Sequence, residues 1–107
     1  MAIAEKFENV TVLSKANVYF DGKVVSYTVI LNDGEKKTVG LIFPGTYTFN
    51  TGVPEKMEIV AGNCTVKIKG QNERVEFKAG EFFSVPGNSA FEITVDSGIA
   101  EYICSYL

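Results

Sequence analysis

The sequence predicts an all-β protein, and two observations carry this prediction. Turn-forming residues recur at short intervals along the 107 residues, for example at Asp21-Gly22, Pro44-Gly45 and Pro86-Gly87-Asn88. The runs between these turns are rich in Val, Ile, Thr, Tyr and Phe, which is typical of strands in a sandwich or barrel. Their number and length predict roughly nine strands in a single domain. The stretch Ala4–Leu13 is the one candidate for a helix.

The predicted strands fall into two classes by their apolar pattern. Cys64–Lys69 and Arg74–Lys78 alternate between apolar and polar residues, so each has one face in water. Lys23–Leu31 and Ile99–Leu107 are apolar on both faces. A second layer of the same domain or a subunit interface would cover the extra face. We favour the interface and predict a homodimer, because few residues remain to supply another layer.

Composition excludes several partners and places the chain in a reducing compartment. The net charge is −3, and the ten basic residues are scattered rather than clustered, so we expect no nucleic-acid partner. No apolar run approaches the ~18 residues of a membrane span, and the N-terminus lacks a secretory pattern. Cys64 and Cys104 lie in alternating apolar strands, which predicts two buried thiols and a cytoplasmic protein. A disulfide between them stays open at this point.

The strongest local signal runs from Ala79 to Ile93. Gly80 opens an apolar run, Pro86 ends it in a tight turn, and strict alternation resumes afterwards, which predicts a hairpin corner. The spacing from Gly80 to Pro86 and on to an inward Phe91 resembles the second signature of the cupin barrels. In metal-binding cupins the position of Phe91 is a histidine ligand, but this chain contains no histidine.

The first cupin signature is expected just after Pro44. The resemblance places Phe49 and Thr51 at the usual histidine pair and Glu55 at the acidic ligand. One ligand of the usual four would therefore remain, and two cysteines cannot complete a shell on their own. We predict a protein without a bound metal or other cofactor.

Four motifs in register resemble one small family, the cupin-type pyrimidine/purine nucleoside phosphorylases. They are YFxGKVxS at Tyr19–Ser26, GxYTFxTxxPExM at Gly45–Met57, VPGxSxF at Val85–Phe91 and YxCxYL at Tyr102–Leu107. The resemblance implies a single-domain cupin, a small antiparallel double sheet, over residues 17–107, with residues 1–16 as an N-terminal extension. Asn88 stands where the family usually has histidine, and Ser105 where it often has arginine.

The resemblance implies phosphorolysis of purine and pyrimidine ribonucleosides by inorganic phosphate, with broad base specificity. Such a reaction passes through a state with positive charge on the sugar ring, and it needs no metal and no covalent nucleophile. We expect Glu55 to be the catalytic carboxylate, beside the ribose. The competing interpretation of Glu55 is a solvated loop residue.

Further residues are candidates for substrate contact. Alternation puts Tyr47, Phe49 and Thr51 on one strand face, where the aromatic rings would stack on substrate or simply fill the core. Asn88 and Ser89 lie on a turn whose N–H groups could bind an anion, although ordinary turn chemistry explains them equally. The remaining candidates are Phe91 closing the cavity, Tyr102 as a hydrogen-bond donor, and Lys23 as a phosphate contact or a plain surface lysine.

Two other functions compete with the enzyme. The first is a metal-free cupin that binds a small molecule without turning it over, which the missing histidines and the Asn88 and Ser105 departures favour. The second is a structural dimer whose cavity is filled by Phe49, Phe91 and Tyr102.

Overall fold

The computed structural model describes residues 3–107, and these residues form eleven short strands with no α-helix among them. The strands are β1 Thr11–Val12, β2 Asn17–Tyr19, β3 Val24–Ile30, β4 Lys36–Ile42, β5 Gly45–Asn50, β6 Glu55–Ala61, β7 Asn63–Ile68, β8 Val75–Lys78, β9 Phe82–Val85, β10 Ala90–Val95 and β11 Ala100–Tyr106. A 3₁₀ turn at Phe20–Gly22 joins β2 to β3. The all-β prediction is confirmed. The strand count exceeds nine because β1 and β2, with 2 and 3 residues, are too short to stand out in the sequence.

The strands form two antiparallel sheets. The larger sheet has seven strands in the order β1-β3-β4-β11-β6-β9, with β2 also paired to β3. The smaller sheet has four strands in the order β5-β10-β7-β8. Neighbours in space are mostly distant in sequence, so the chain crosses repeatedly between the sheets. The predicted antiparallel double sheet is confirmed.

The predicted helix over Ala4–Leu13 is wrong. Thr11 and Val12 pair with Ile30 and Val29 of β3 and so extend the larger sheet. Asn9 adopts a left-handed backbone conformation with φ of 56°, which a helix cannot continue through. β-branched side chains such as those of Thr11 and Val12 also favour an extended edge strand over a helix.

The Pro86 turn joins the two sheets. β9 pairs with β6 of the larger sheet, whereas β10 pairs with β5 and β7 of the smaller sheet. The expected hairpin corner is therefore a corner between layers, since β9 and β10 do not pair with each other. The local sequence encodes the break at Pro86, but the partners of the flanking strands are set by distant residues.

The core lies between the sheets. Its largest fully buried side chains are Val24, Ile42, Ile59, Val85, Ile93, Val95 and Cys64. Both cysteines are buried free thiols, as predicted. Within residues 3–107, no helix is long and apolar enough to cross a membrane.

β3 and β11, which are apolar on both faces, are covered by different parts of the chain on their two sides. The inward residues of β3 and β11 face the smaller sheet, so a second layer of the domain covers that side. On the outer side, Ala4, Glu5 and Phe7 lie beside Ile103, which is only 4% exposed. Tyr27 and Leu41 on this outer face remain 44% and 36% exposed.

Candidate functional site

A cavity of about 680 Å³ lies between the two sheets. One side of its lining is aromatic and the other is polar. Val18, Tyr19 and Phe20 belong to the lining and are 44–60% exposed, so they form part of its rim. A cavity of this size is in the usual range for a small-molecule site.

The polar side of the cavity is formed by matched positions on neighbouring strands of the larger sheet. Ser26 of β3 and Tyr102 of β11 both pair with Gly40 of β4, one on each side. In the next row, Thr38 pairs with Cys104. In the row beyond, Tyr106 pairs with Glu55. The side chains of one face of a sheet line up across the strands, so these hydroxyl, thiol and carboxyl groups are brought together.

Gly40 makes room for the Tyr102 ring. A Cβ atom at position 40 would lie 2.9 Å from Tyr102 Cε1, 2.8 Å from Ser26 Cβ and 2.6 Å from the Val25 carbonyl oxygen. All three distances are shorter than real Cβ contacts allow. The absence of a side chain at Gly40 therefore lets the ring of Tyr102 extend across β4 towards Ser26.

Glu55, the first residue of β6, is partly buried in the cavity wall. The Cys104 thiol donates a hydrogen bond to Glu55 Oε1 over a Sγ–Oε1 distance of 3.5 Å. Burial raises the pKa of Glu55 above its ordinary value, and the hydrogen bond from Cys104 opposes this shift. The result is a carboxyl group whose ionised form is less favoured than that of a surface glutamate.

Tyr102, Cys104 and Tyr106 of the cavity stay protonated at neutral pH. Burial raises the pKa of Tyr102 to about 12 and that of Cys104 to about 12, and it raises the pKa of Tyr106 further above its ordinary range. The nearby Glu55 charge adds to each of these three shifts. These groups therefore act as hydrogen-bond donors rather than as anions.

The aromatic side of the cavity is built around Phe49. Its ring stacks on Phe91 with 5.6 Å between ring centroids and meets Phe20 and Tyr19 edge-on at 5.4 Å and 5.9 Å. Phe49 is on β5 and Phe91 is its direct cross-strand partner on β10. Rings held in this way form a preformed surface for stacking a planar ligand.

Four of the residues predicted from sequence lie together in the lining: Phe49, Glu55, Phe91 and Tyr102. Tyr47 shares the inward face of β5 with Phe49 but is buried in the core. Its hydroxyl donates to the carbonyl oxygens of Phe43 and Pro44, at 2.9 Å each. Its contact with the cavity is thus indirect, through Phe20, whose ring centroid is 5.0 Å away.

The remaining predicted residues lie outside the lining. Thr51 Oγ1 donates to the Pro86 carbonyl oxygen at 2.6 Å and accepts from Ser89 N at 2.9 Å. Asn88 N donates to the Gly52 carbonyl oxygen at 3.0 Å. The two turn N–H groups considered for anion binding are therefore engaged within the protein. Lys23 is exposed just before β3.

Sequence reasoning missed several polar residues of the cavity, namely Ser26, Thr38, Cys104 and Tyr106. A signal for two of them was present, because Cys104 and Tyr106 alternate with Tyr102 on one face of the last strand. Ser26 ends the first family motif. Thr38 carries no local signal, since only the pairing of β4 with β11 brings it to the site.

The donor set offers little to a metal ion. Within residues 3–107, no group of three or more His, Cys, Asp and Glu side chains is placed to hold one. The absence of a bound metal or cofactor remains a prediction from the sequence.

Comparison with known proteins identifies the family. Residues 14–106 match the sequence model of a family described as pyrimidine/purine nucleoside phosphorylase. The chain belongs to this family. The match confirms the resemblance drawn from the four motifs, and with it the prediction that the chain is an enzyme, a pentosyltransferase of the pyrimidine/purine nucleoside phosphorylase family.

Curated members of the pyrimidine/purine nucleoside phosphorylase family align along almost the whole chain. One from Aromatoleum aromaticum is 55% identical over 106 residues, covering 99% of each chain. Another, from Burkholderia vietnamiensis, is 52% identical over 107 residues, covering 100% of each. Both carry the family's name.

Solved structures of related chains share the fold. A protein of unknown function from Acinetobacter sp. ADP1 superimposes with a TM-score of 0.94 and 47% identity, covering 97% of this chain and 100% of the other. One from Vibrio parahaemolyticus gives a TM-score of 0.81 and 41% identity, covering 87% and 97%. The two-sheet architecture is therefore that of its relatives.

Proposed function

We propose that this enzyme cleaves purine and pyrimidine ribonucleosides with inorganic phosphate, giving the free base and ribose 1-phosphate. The family name and the near-full-length relatives support the general activity. One structural observation supports this cavity as the site: a partly buried carboxyl group, Glu55, shares it with the aromatic surface of Phe49 and Phe91. A nucleoside needs both surfaces, because it joins a flat base to a polar sugar.

Glu55 is the proposed catalytic residue. The bond from the anomeric carbon to the base nitrogen breaks, and its electron pair leaves with the base, which takes up the proton that the attacking hydrogen phosphate gives up. A phosphate oxygen forms the new bond to the same carbon. Positive charge develops on the sugar ring between these events, and a carboxylate beside the ring stabilises it. The hydroxyl group of Thr38 lies in the same lining and is a partner for a ribose hydroxyl.

The proposed base site explains broad specificity. Phe49, backed by the buried ring of Phe91, offers an aromatic surface to the base, and stacking on an aromatic side chain is worth about 1–3 kcal/mol per base and tolerates every base. Discrimination between bases requires hydrogen bonds to their edges. A site that relies on stacking therefore accepts both purines and pyrimidines.

The described part of the cavity lining provides no cationic side chain for phosphate. Among the described lining side chains, none is a lysine or arginine. We keep Lys23 as the cationic candidate because its backbone N–H donates to the carbonyl oxygen of Phe20, a rim residue, at 3.2 Å. Tyr47, Thr51, Asn88 and Ser89 are proposed as supporting residues that hold the cavity wall and the adjoining turn.

The proposal extends to a cytoplasmic homodimer of a 17–107 domain with a 1–16 extension. The exposed Tyr27 and Leu41 on the outer face of the larger sheet favour a second copy there. Residues 4–7 already cover part of that face, so the extension would lie at the edge of the interface.

The test is a phosphate-dependence assay. Purified protein is incubated with inosine or uridine, with and without inorganic phosphate, and the free base is measured by chromatography. Release that requires phosphate supports the proposal. Nucleoside binding without release would instead favour a metal-free binding protein, and neither binding nor release would favour a structural role.

A further inference from the structure

A polar row crosses the larger sheet and ends in the cavity. Asn17 of β2 pairs with Ser26 of β3, Ser26 pairs with Gly40 of β4, and Gly40 pairs with Tyr102 of β11. Ser26 and Tyr102 line the cavity, whereas Asn17 lies outside the lining. The catalytic proposal above assigns no role to Asn17.

The hydrogen bonds of Asn17 make it the donor at one end of the row. Its Nδ2 donates to Ser26 Oγ at 3.2 Å and to Thr28 Oγ1 at 3.1 Å, so both amide hydrogens are used. Ser26 is therefore an acceptor on that side. Since a hydroxyl group has one hydrogen, Ser26 keeps its hydrogen free to donate elsewhere. Ser26 is 2% exposed, so the partner must be within the protein or a bound ligand.

Tyr102 is the partner that the geometry offers to Ser26. Ser26 and Tyr102 approach each other over Gly40, which has no side chain between them. A Cβ atom built at position 40 would be 2.8 Å from Ser26 Cβ and 2.9 Å from Tyr102 Cε1. Hydrogen bonding to Ser26 lowers the pKa of Tyr102, against the larger effect of burial. The free hydrogen of Ser26 makes Ser26 the donor of this bond and the Tyr102 oxygen its acceptor. The phenolic hydrogen of Tyr102 is then left to point into the cavity.

Tyr102 also lies where the two halves of the cavity meet. It shares the lining with Glu55 of the polar half and with Tyr19 of the aromatic half. A nucleoside with its sugar at Glu55 and its base at Phe49 would have its glycosidic bond at this junction. A donor placed there faces acceptor atoms of the base, on which negative charge grows as the bond breaks.

We propose that Asn17 is a positioning residue that, through Ser26, holds the Tyr102 hydroxyl as a hydrogen-bond donor to the departing base. The catalytic part of this proposal rests on the proposed function. The positioning part concerns only the protein, and it is tested without substrate.

The catalytic test is a double-mutant cycle on phosphorolysis of uridine. Asn17→Ala is expected to lower kcat/KM by about tenfold, roughly the effect of one hydrogen bond, and to add little in the Tyr102→Phe background. Both losses should shrink for 5-fluorouridine, whose base leaves more easily. Asn63→Ala, a control on the exposed residue Asn63, should leave kcat/KM unchanged. Additive losses, or equal losses for the two nucleosides, would overturn the catalytic role.

The ligand-free test is a titration of Tyr102 by ¹⁹F NMR in protein labelled with 3-fluorotyrosine. The Tyr102 signal is the one that disappears in Tyr102→Phe. Ser26→Ala removes the donor and should move the titration midpoint upward. Asn17→Asp is nearly isosteric but replaces a hydrogen-bond donor to Ser26 by an acceptor, so it should also move the midpoint upward. In the Ser26→Ala background, the same Asn17→Asp change should move the midpoint much less.

The two tests separate the two proposals. An Asn17→Asp shift of the same size with and without Ser26 would show a through-space charge effect and overturn the positioning role. If wild-type protein releases no base from uridine, the proposed function fails, while the titration still decides whether Asn17 acts on Tyr102 through Ser26.

Discussion

Glu55 combines a carboxyl group with surroundings that disfavour its ionised form. Burial raises its pKa, and the described partner that opposes this shift is the weakly donating thiol of Cys104. A carboxylate held in this way has little solvation to lose when a positive charge develops beside it. At the residue scale, the surroundings of Glu55 therefore help its carboxylate to stabilise the positive charge on the sugar ring, although they disfavour the ionised form in the folded protein.

Glu55→Gln is expected to lower phosphorolysis by about a hundredfold or more, the effect of removing one preorganised electrostatic group. The melting temperature should not fall, because glutamine removes a charge that is disfavoured by burial. Glu58→Gln is the matched control on the same strand, with its side chain on the opposite face. Equal turnover by Glu55→Gln and wild type would move the catalytic role away from Glu55.

The pH dependence of kcat follows from the direction of the Glu55 shift. Catalysis needs the ionised carboxylate, so the rate should rise with pH through a pKa above the ordinary glutamate value, and this limb should disappear in Glu55→Gln. Cys104→Ala removes the hydrogen bond that lowers the pKa of Glu55 and should move the limb to higher pH. Cys64→Ala, at a buried cysteine outside the cavity, should leave the limb in place. A limb unmoved by Cys104→Ala would contradict the role of the thiol.

The same shift sets a stability trend. The folded-state pKa of Glu55 lies above its unfolded value, so its contribution is fully present at lower pH and is lost as the pH rises through the folded-state pKa. The stability difference between Glu55→Gln and wild type should thus change in favour of the variant as the pH rises through this range. Urea unfolding at several pH values measures it, and a difference that is constant with pH would contradict the raised pKa.

At the scale of elements, the corner between β9 and β10 depends on the side chain of Thr51, the residue that follows β5. Thr51 is 7% exposed, and its hydroxyl group bonds both the Pro86 carbonyl oxygen and Ser89 N. Asn88 at this corner is in the left-handed region with φ of 50°. The hydrogen bonds of Thr51 and Gly52 hold this unusual backbone in place.

Thr51→Val should lower the free energy of unfolding by about 1–3 kcal/mol, because it leaves two partly buried backbone groups, the Pro86 carbonyl and Ser89 N–H, without their partner. Thr46→Val on β5 is the control. The Thr46 hydroxyl pairs with Thr94 at an exposed position, so its loss should stay within about 0.5 kcal/mol. Urea unfolding of both variants measures the difference, and equal losses would contradict the bracing role of Thr51.

Local sequence predicts the elements better than it predicts their partners. Turn residues and alternation mark strands such as β7 and β10, because each strand needs a buried face and a break at its end. The same reasoning mistook the corner at Pro86 for a hairpin and Ala4–Leu13 for a helix. Both errors concern pairing with distant strands, β6 for the corner and β3 for Thr11, and a local pattern does not contain that information.

For the whole molecule, the site was predictable only where a motif marked it. Phe49, Glu55, Phe91 and Tyr102 stand in family motifs and do meet in one cavity. Asn17 and Thr38 could not be assigned, because their place depends on their partners across the sheet, Ser26 at 9 positions and Cys104 at 66 positions along the chain. The register of strand pairing, more than composition, therefore decides which residues form the polar half of the cavity.

The exposed apolar residues on the outer face of the larger sheet lead us to expect a homodimer. A homodimer built on this face should have about twice the monomer mass of 11.7 kDa in light scattering at micromolar concentration. Leu41→Lys should shift the population towards monomer, because it places a charge on the exposed apolar face. Val75→Lys, at an exposed apolar residue of the smaller sheet, is the control. A monomeric wild-type protein would contradict the prediction.

The balance of phosphate during turnover bears on the whole proposal. ³¹P NMR follows inorganic phosphate directly while chromatography follows the base released from uridine and from inosine. We expect inorganic phosphate to be converted to ribose 1-phosphate in equal amounts with free base for both nucleosides, and no base to form without phosphate. Base release without phosphate, or bound nucleoside that is never cleaved when phosphate is present, would contradict a phosphorolytic site at Glu55.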